Sequence, residues 1–101
     1  MTVEMLVGLQ VVDEAGYREY RKGMTPILTA IGGGFGYDFK IAEVLKSATP
    51  APINRLFTIH FPDDASREAF FADPEYLRVR EEHFEPAVSH TTILSRYQRS
   101  P

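Results

Sequence analysis

The sequence predicts an α+β fold in which two helices cover one face of a four-stranded antiparallel sheet. Three observations carry the prediction. Apolar residues alternate over Val3–Val11, Phe35–Leu45, Ile53–Phe61 and Val88–Tyr97, the period of strands, and recur at helical steps over Tyr17–Ile31 and Ala65–Phe84. The order is therefore β-α-β-β-α-β, the split βαβ arrangement, with strand order 4-1-3-2. Glycine or proline punctuates most changes of period. The pattern fills residues 1–101, so the chain reads as a single domain.

Each element has a local cause. In the first strand Val3, Met5, Val7, Leu9 and Val11 share one face, and Glu4, Leu6, Gly8 and Gln10 the other. Asp13 is a helix N-cap. Tyr17, Tyr20, Met24, Leu28 and Ile31 form one helical face. Thr25-Pro26 interrupts it, which predicts a kink or a restart at Pro26. Gly32-Gly33-Gly34 suits a left-handed helix stop; because it follows a helix and leads into a strand, it is not read as a phosphate loop. The second strand alternates Phe35, Tyr37, Phe39, Ile41 against Gly36, Asp38, Lys40, Ala42. Ser47–Pro52 is a loop, since its prolines break a ladder. The third strand turns Phe57, Ile59 and Phe61 inward and Leu56, Thr58 and His60 outward. Pro62-Asp63-Asp64 caps the second helical stretch, Asp73-Pro74-Glu75 restarts it and Pro86 ends it. The last strand sets Thr91, Ile93 and Ser95 against His90, Thr92 and Leu94.

Composition bounds the function. Fourteen acidic against eleven basic residues give a net charge of -3, which offers no footprint for nucleic acid or anionic lipid. With no cysteine, disulfides, thiolate catalysis and Cys-ligated metals are excluded. The amino terminus lacks signal-peptide character and the first apolar run is too short to span a bilayer, so a cytoplasmic location is expected. The exposed faces of strands one and three lack the aromatics of an RNA-recognition sheet.

The segments MLVGLQVVD, YREY, IGGGF, RLFTIHFPD and FFADPEYLRVREEH resemble the dimeric α/β-barrel superfamily of ferredoxin-like proteins. The DPEY restart is typical of a small branch labelled as a domain of unknown function, distantly similar to antibiotic-biosynthesis-type monooxygenases. The resemblance implies a homodimer in which two sheets pack face to face, helices outside, with pockets between sheet and helices. It also implies a small-molecule activity without choosing one: relatives include cofactor-free monooxygenases, isomerases and haem enzymes.

Two polar constellations are candidates. With strands one and three taken as parallel neighbours and a hairpin centred near Thr49, Asp38 falls opposite His60, and both His60 and His90 fall beside Gln10. Asp38, His60, Gln10 and His90 then form a row on the helix-free face. Asp38 orienting His60 would make a general base, but a hydrogen-bonded network at the dimer interface is preferred. No metal is assigned, since no short ligand motif accompanies these residues. The second constellation lies beneath the helices, with His83 as catalytic base and Tyr17, Tyr20, Tyr37 and Arg80 binding substrate. Its bland counterpart is a set of amphipathic core tyrosines. The expectation is a homodimer that binds a small aromatic or carbonyl-bearing metabolite without a cofactor, possessing monooxygenase or isomerase activity if it is an enzyme. The alternative is a non-catalytic dimerisation module whose cavity is filled by its own side chains.

Overall fold

The computed structural model describes residues 2–100. The elements run β1 (Thr2–Val11), α1 (Glu14–Ala30), β2 (Gly34–Lys40), β3 (Arg55–Phe61), α2 (Asp64–Ala72), α3 (Pro74–Val79), a π-helical turn (Arg80–Phe84), α4 (Glu85–Ala87) and β4 (Val88–Arg99). The sheet order is β2-β3-β1-β4, the expected one read from the other edge, and every pairing is antiparallel.

One face of β1 and β3 makes the core. Met5, Val7, Leu9, Val11, Phe57, Ile59 and Phe61 are buried against Tyr17, Tyr20, Met24 and Leu28 of α1, with Phe70 and Tyr76 from the second helical layer, and Val3 is buried as well. The strand parity read from the sequence therefore holds for both central strands. Asp13 caps α1 by accepting from Gly16 N–H. The helix is continuous through Pro26, so the expected restart does not occur; the Thr25 hydroxyl donates to the Arg21 carbonyl. At its end Gly32 has φ +81°, Gly32 N–H donates to Thr29 and Gly33 N–H to Leu28, a left-handed stop that satisfies two terminal carbonyls. Asp73 caps α3 as the sequence predicts, with Pro74 in its first turn.

Further expectations need correction. First, β1 and β3 are antiparallel. Crossover α1 sets β2 parallel to β1, and β3, as the hairpin partner of β2 lying between them, must oppose both. The register pairs Glu4, not Gln10, with His60. Second, β2 ends at Lys40 rather than Leu45, and the connection to β3 spans 41–54. Third, β2 carries a bulge: Phe35 pairs with Ile59 and Asp38 with Phe57, so Gly36 and Tyr37 together oppose Thr58. The extra residue inverts the parity of the strand beyond it. Asp38 and Lys40 turn to the helix-covered face, while Tyr37 and Phe39 stack on the open one. The bulge is tied down by Tyr37 N–H, which donates to the Thr58 hydroxyl at 2.9 Å. Fourth, Ser95 does not share a side with Ile93: an irregularity in β4 pairs Ile93 with Val7 but Ser95 with Leu6, on opposite faces.

Among the described residues, no helix is long and apolar enough to cross a membrane.

Candidate functional site

A cavity of about 160 Å³ lies between the sheet and the helices. Its floor is Met5, Val7 and Leu9 of β1 with Phe57 and Ile59 of β3; Tyr17, Tyr20, Arg21 and Met24 descend from α1. Tyr76, Arg80 and Phe84 close it from α3 and the π-helical turn. Exposed Arg80, Thr91 and Ile93 form its rim.

The polar groups around this apolar floor are mostly donors. Arg21 Nε–H donates to the Tyr17 hydroxyl at 2.9 Å. Because that oxygen is accepting, its own hydrogen is free to donate elsewhere. The Tyr20 and Tyr76 hydroxyls lie 2.9 Å apart and share one hydrogen bond, so one of their two hydrogens is also uncommitted. The Arg21 guanidinium lies 3.8 Å from the centre of the Phe35 ring. Its Nη1 reaches Asp38 at 3.3 Å, whereas Nη2 is buried with no partner.

Charge is unbalanced in the same direction. Asp38 is gripped by Arg55 through two bonds of 2.8 Å, while Arg21 approaches the same carboxylate. Hydrogen bonding from Arg55, reinforced by the charges of both arginines and opposed by partial burial, holds the Asp38 carboxyl below its usual range. One carboxylate thus serves two largely buried guanidiniums. Glu14, half-exposed and 3.8 Å from Arg55, compensates at a distance. Burial pushes the Tyr17, Tyr20 and Tyr76 hydroxyls above the ordinary phenol value, most strongly for Tyr20, so all three stay protonated at neutral pH.

Of the residues expected here, Tyr17, Tyr20 and Arg80 line the cavity and His83 and Tyr37 do not. Tyr37 is 66% exposed on the opposite sheet face, carried there by the β2 bulge. His83 lies in the π-helical turn, where the wider winding brings Arg80 and Phe84 onto the cavity side in place of the spacing that would present His83. Arg21 and Tyr76 were not among the expected ligand-binding residues. Arg21 stands four positions after Tyr17, on the same helical face, which was the available signal.

The expected row on the helix-free face is scattered. Gln10 does pair with His90, and the His90 ring meets the neighbouring Ser89 hydroxyl at 2.9 Å. His60 instead faces Glu4 on one side and Gly34 on the other, and its Nδ1 is buried without a partner. Asp38 is on the other face with the arginines. A different polar group takes its place: the Glu4 carboxylate, only 5% exposed, accepts from the Tyr97 hydroxyl at 2.5 Å and from Arg99 at 2.8 Å. Around this group the face exposes Tyr37, Phe39 and Leu94, with Val44 and Leu45 on the long loop beyond.

The sequence matches the family described as a domain of unknown function (DUF1330) over residues 5–97. No curated protein matches it. Among solved structures, the fold is similar to a protein of unknown function from Rhodopseudomonas palustris, with a TM-score of 0.80 at 16% identity over 99% of this chain and 83% of that one. A Dabb-family protein with a ferredoxin-like fold from Mesorhizobium loti gives 0.62 at 14% identity over 99% and 98% of the two chains. A dimeric ferredoxin-like protein of unknown function from Jannaschia gives 0.60 at 12% identity over 98% and 100%. At such identities the likeness shows a shared ferredoxin-like fold alone.

Proposed function

The chain belongs to the DUF1330 family, and on that premise we propose that it forms a homodimer through its helix-free sheet face and binds a small aromatic or carbonyl-bearing metabolite beneath its helices. The observation that carries the binding reading is the cavity itself, an apolar floor set against hydrogen-bond donors that lack acceptors. Sites for small molecules have this character, a mostly apolar lining with a few placed polar groups. The volume of about 160 Å³ limits the size of the guest. An apolar cavity of about 150 Å³ holds one benzene, so a single ring fills this one.

The chemistry the lining suits is carbonyl recognition. Neutral tyrosines and a guanidinium line a mostly apolar site, where O–H and N–H donors stabilise negative charge on an oxygen. That arrangement serves binding, and it serves the enolate-like intermediates of a cofactor-independent isomerisation or oxygenation as well. His83 is not assigned as the base in this reading, because it lies outside the lining.

The dimer reading rests on the open face. Tyr37, Phe39 and Leu94 are large apolar side chains exposed on this face, and apolar surface gathered on one face marks an interaction site. Glu4 and His60, a buried carboxylate and a ring nitrogen without a partner, lie among them. The Jannaschia neighbour is described as dimeric.

Titration calorimetry with acetophenone, a single ring bearing a carbonyl, tests the binding reading. The wild-type protein is expected to bind it saturably, and Val7→Phe, which fills the cavity floor, is expected to lose binding while keeping its circular dichroism spectrum. Undiminished binding to a folded Val7→Phe variant, or failure of the wild type to bind either acetophenone or the equally small benzoate, would overturn it.

A further inference from the structure

Among the described residues that line the cavity, Arg21 carries a buried polar atom with no hydrogen-bond partner. Its guanidinium has five N–H donors. Nε–H is used by Tyr17, Nη1 leans on Asp38, and both hydrogens of Nη2 are left without an acceptor in a buried position. Leaving such donors unpaired is costly, and folded proteins rarely do so without a reason. Stacking of the guanidinium on Phe35 engages its face and leaves its edge, where the N–H groups project, for another partner. Asp38 neutralises it only in part, because the carboxylate that Arg21 Nη1 approaches at 3.3 Å is shared with Arg55, which holds both of its oxygens.

Tyr17 strengthens the case. Its ring is 1% exposed and its hydroxyl accepts from the same arginine, so its own hydrogen is a second unused donor, one hydrogen bond away from the guanidinium. Two neighbouring donors, one of them charged, match the two oxygens of a carboxylate. The apolar floor of Met5, Val7, Phe57 and Ile59 matches a hydrocarbon ring, and the other charged side chain of the lining, Arg80, stands at the exposed rim.

We infer that the ligand is a single-ring aromatic carboxylate, its carboxylate held by Arg21 Nη2 and the Tyr17 hydroxyl and its ring on the β1–β3 floor. This rests on the proposal that the cavity is a ligand site and names the class of ligand it takes.

The test compares benzoate with acetophenone, a neutral ring of similar size, by titration calorimetry at neutral pH and low salt. On the wild-type protein benzoate is expected to bind at least about tenfold more tightly. The preference is expected to disappear in Arg21→Met and to shrink in Tyr17→Phe, which keeps the ring and removes only the hydroxyl. Equal affinity for both probes, or tighter binding of acetophenone, would overturn the carboxylate assignment while leaving the cavity reading standing. Binding of neither probe by the wild type would overturn both. Should Arg21→Met fail to fold, the wild-type preference and Tyr17→Phe decide the matter: an unchanged preference in Tyr17→Phe, with benzoate lying away from Arg21 in a soaked crystal, refutes it.

Discussion

Replacing Tyr20 with phenylalanine tests whether the tyrosine cluster lies in a water-poor site. The substitution keeps the ring against Phe84, 4.8 Å between centroids, and removes one partner of the 2.9 Å bond to Tyr76. At neutral pH the variant is expected to lose about 1–3 kcal/mol, because the Tyr76 hydroxyl is left without its partner in a buried position. The pH dependence is more diagnostic. Burial raises the folded-state value of Tyr20 far above its ordinary 10.0. The stabilising contribution of a group shifted this way is complete below the unfolded-state pKa and declines as pH rises above it, because the unfolded chain then binds fewer protons. At one pH unit above 10 the unfolded chain gains roughly 1.4 kcal/mol from ionising this one phenol, and the folded chain gains nothing. Tyr20→Phe has no such loss. Urea unfolding of both proteins at pH 7 and pH 11 should therefore show their stability gap closing by about 1.4 kcal/mol, since other alkaline titrations are largely common to both. A gap that stays constant would mean Tyr20 ionises as easily folded as unfolded, and the reasoning about a water-poor site would be wrong.

The remaining predictions address the backbone, the ion pairs and the assembly. Gly32→Val should cost about 1–2 kcal/mol because φ is +81° there, whereas Gly32→Asn should cost clearly less; equal unfolding midpoints for the two variants would contradict the left-handed stop. Gly33 has a steric reason instead: a Cβ would sit 2.5 Å from Leu28 Cδ1 and 2.8 Å from the His60 carbonyl oxygen, so Gly33→Ala should also destabilise, by about 1–3 kcal/mol in urea unfolding. The lowered Asp38 pKa contributes stability that is present above the ordinary carboxyl value of 3.8 and is lost as pH falls through the folded-state value. Asp38→Asn should therefore be less stable at neutral pH and show a shallower acid decline; parallel acid profiles would rule out a stabilising arginine clamp. Leu94→Asp, which charges the exposed strip of the open face, should shift light scattering from dimer to monomer, and an unchanged dimer would place the interface elsewhere.

The order of elements was legible because each change of hydrophobic period coincides with a physical boundary. Asp13 and Asp73 cap helices, and Gly32 takes the one backbone conformation that stops α1. The inward faces of β1 and β3 followed directly from strict alternation. What failed was register. The bulge at Gly36–Tyr37 inserts one residue without disturbing the alternation around it, and it moved Asp38 and Tyr37 to exchanged faces. Its signal was the glycine: a Cβ at position 36 would lie 2.6 Å from the Thr58 hydroxyl, and glycine inside a strand often marks such a site. The direction of β3 relative to β1 followed from the topology already predicted, so the parallel assignment was an error of inference rather than missing information. The π-helical turn is different. An α-helical spacing from Tyr76 points to His83, and nothing in the residues from Arg80 to Phe84 announces the wider winding.

The central claim, that the space beneath the helices is the ligand site, is tested most directly by a high-resolution crystal structure of protein purified from its own cells without added ligand. Density is expected for one small ring on the floor of Met5, Val7 and Ile59, with an oxygen-bearing substituent against Arg21 and Tyr17. A cavity closed by its own side chains, with co-purified density instead on the open face beside Glu4 and His60, would contradict the claim.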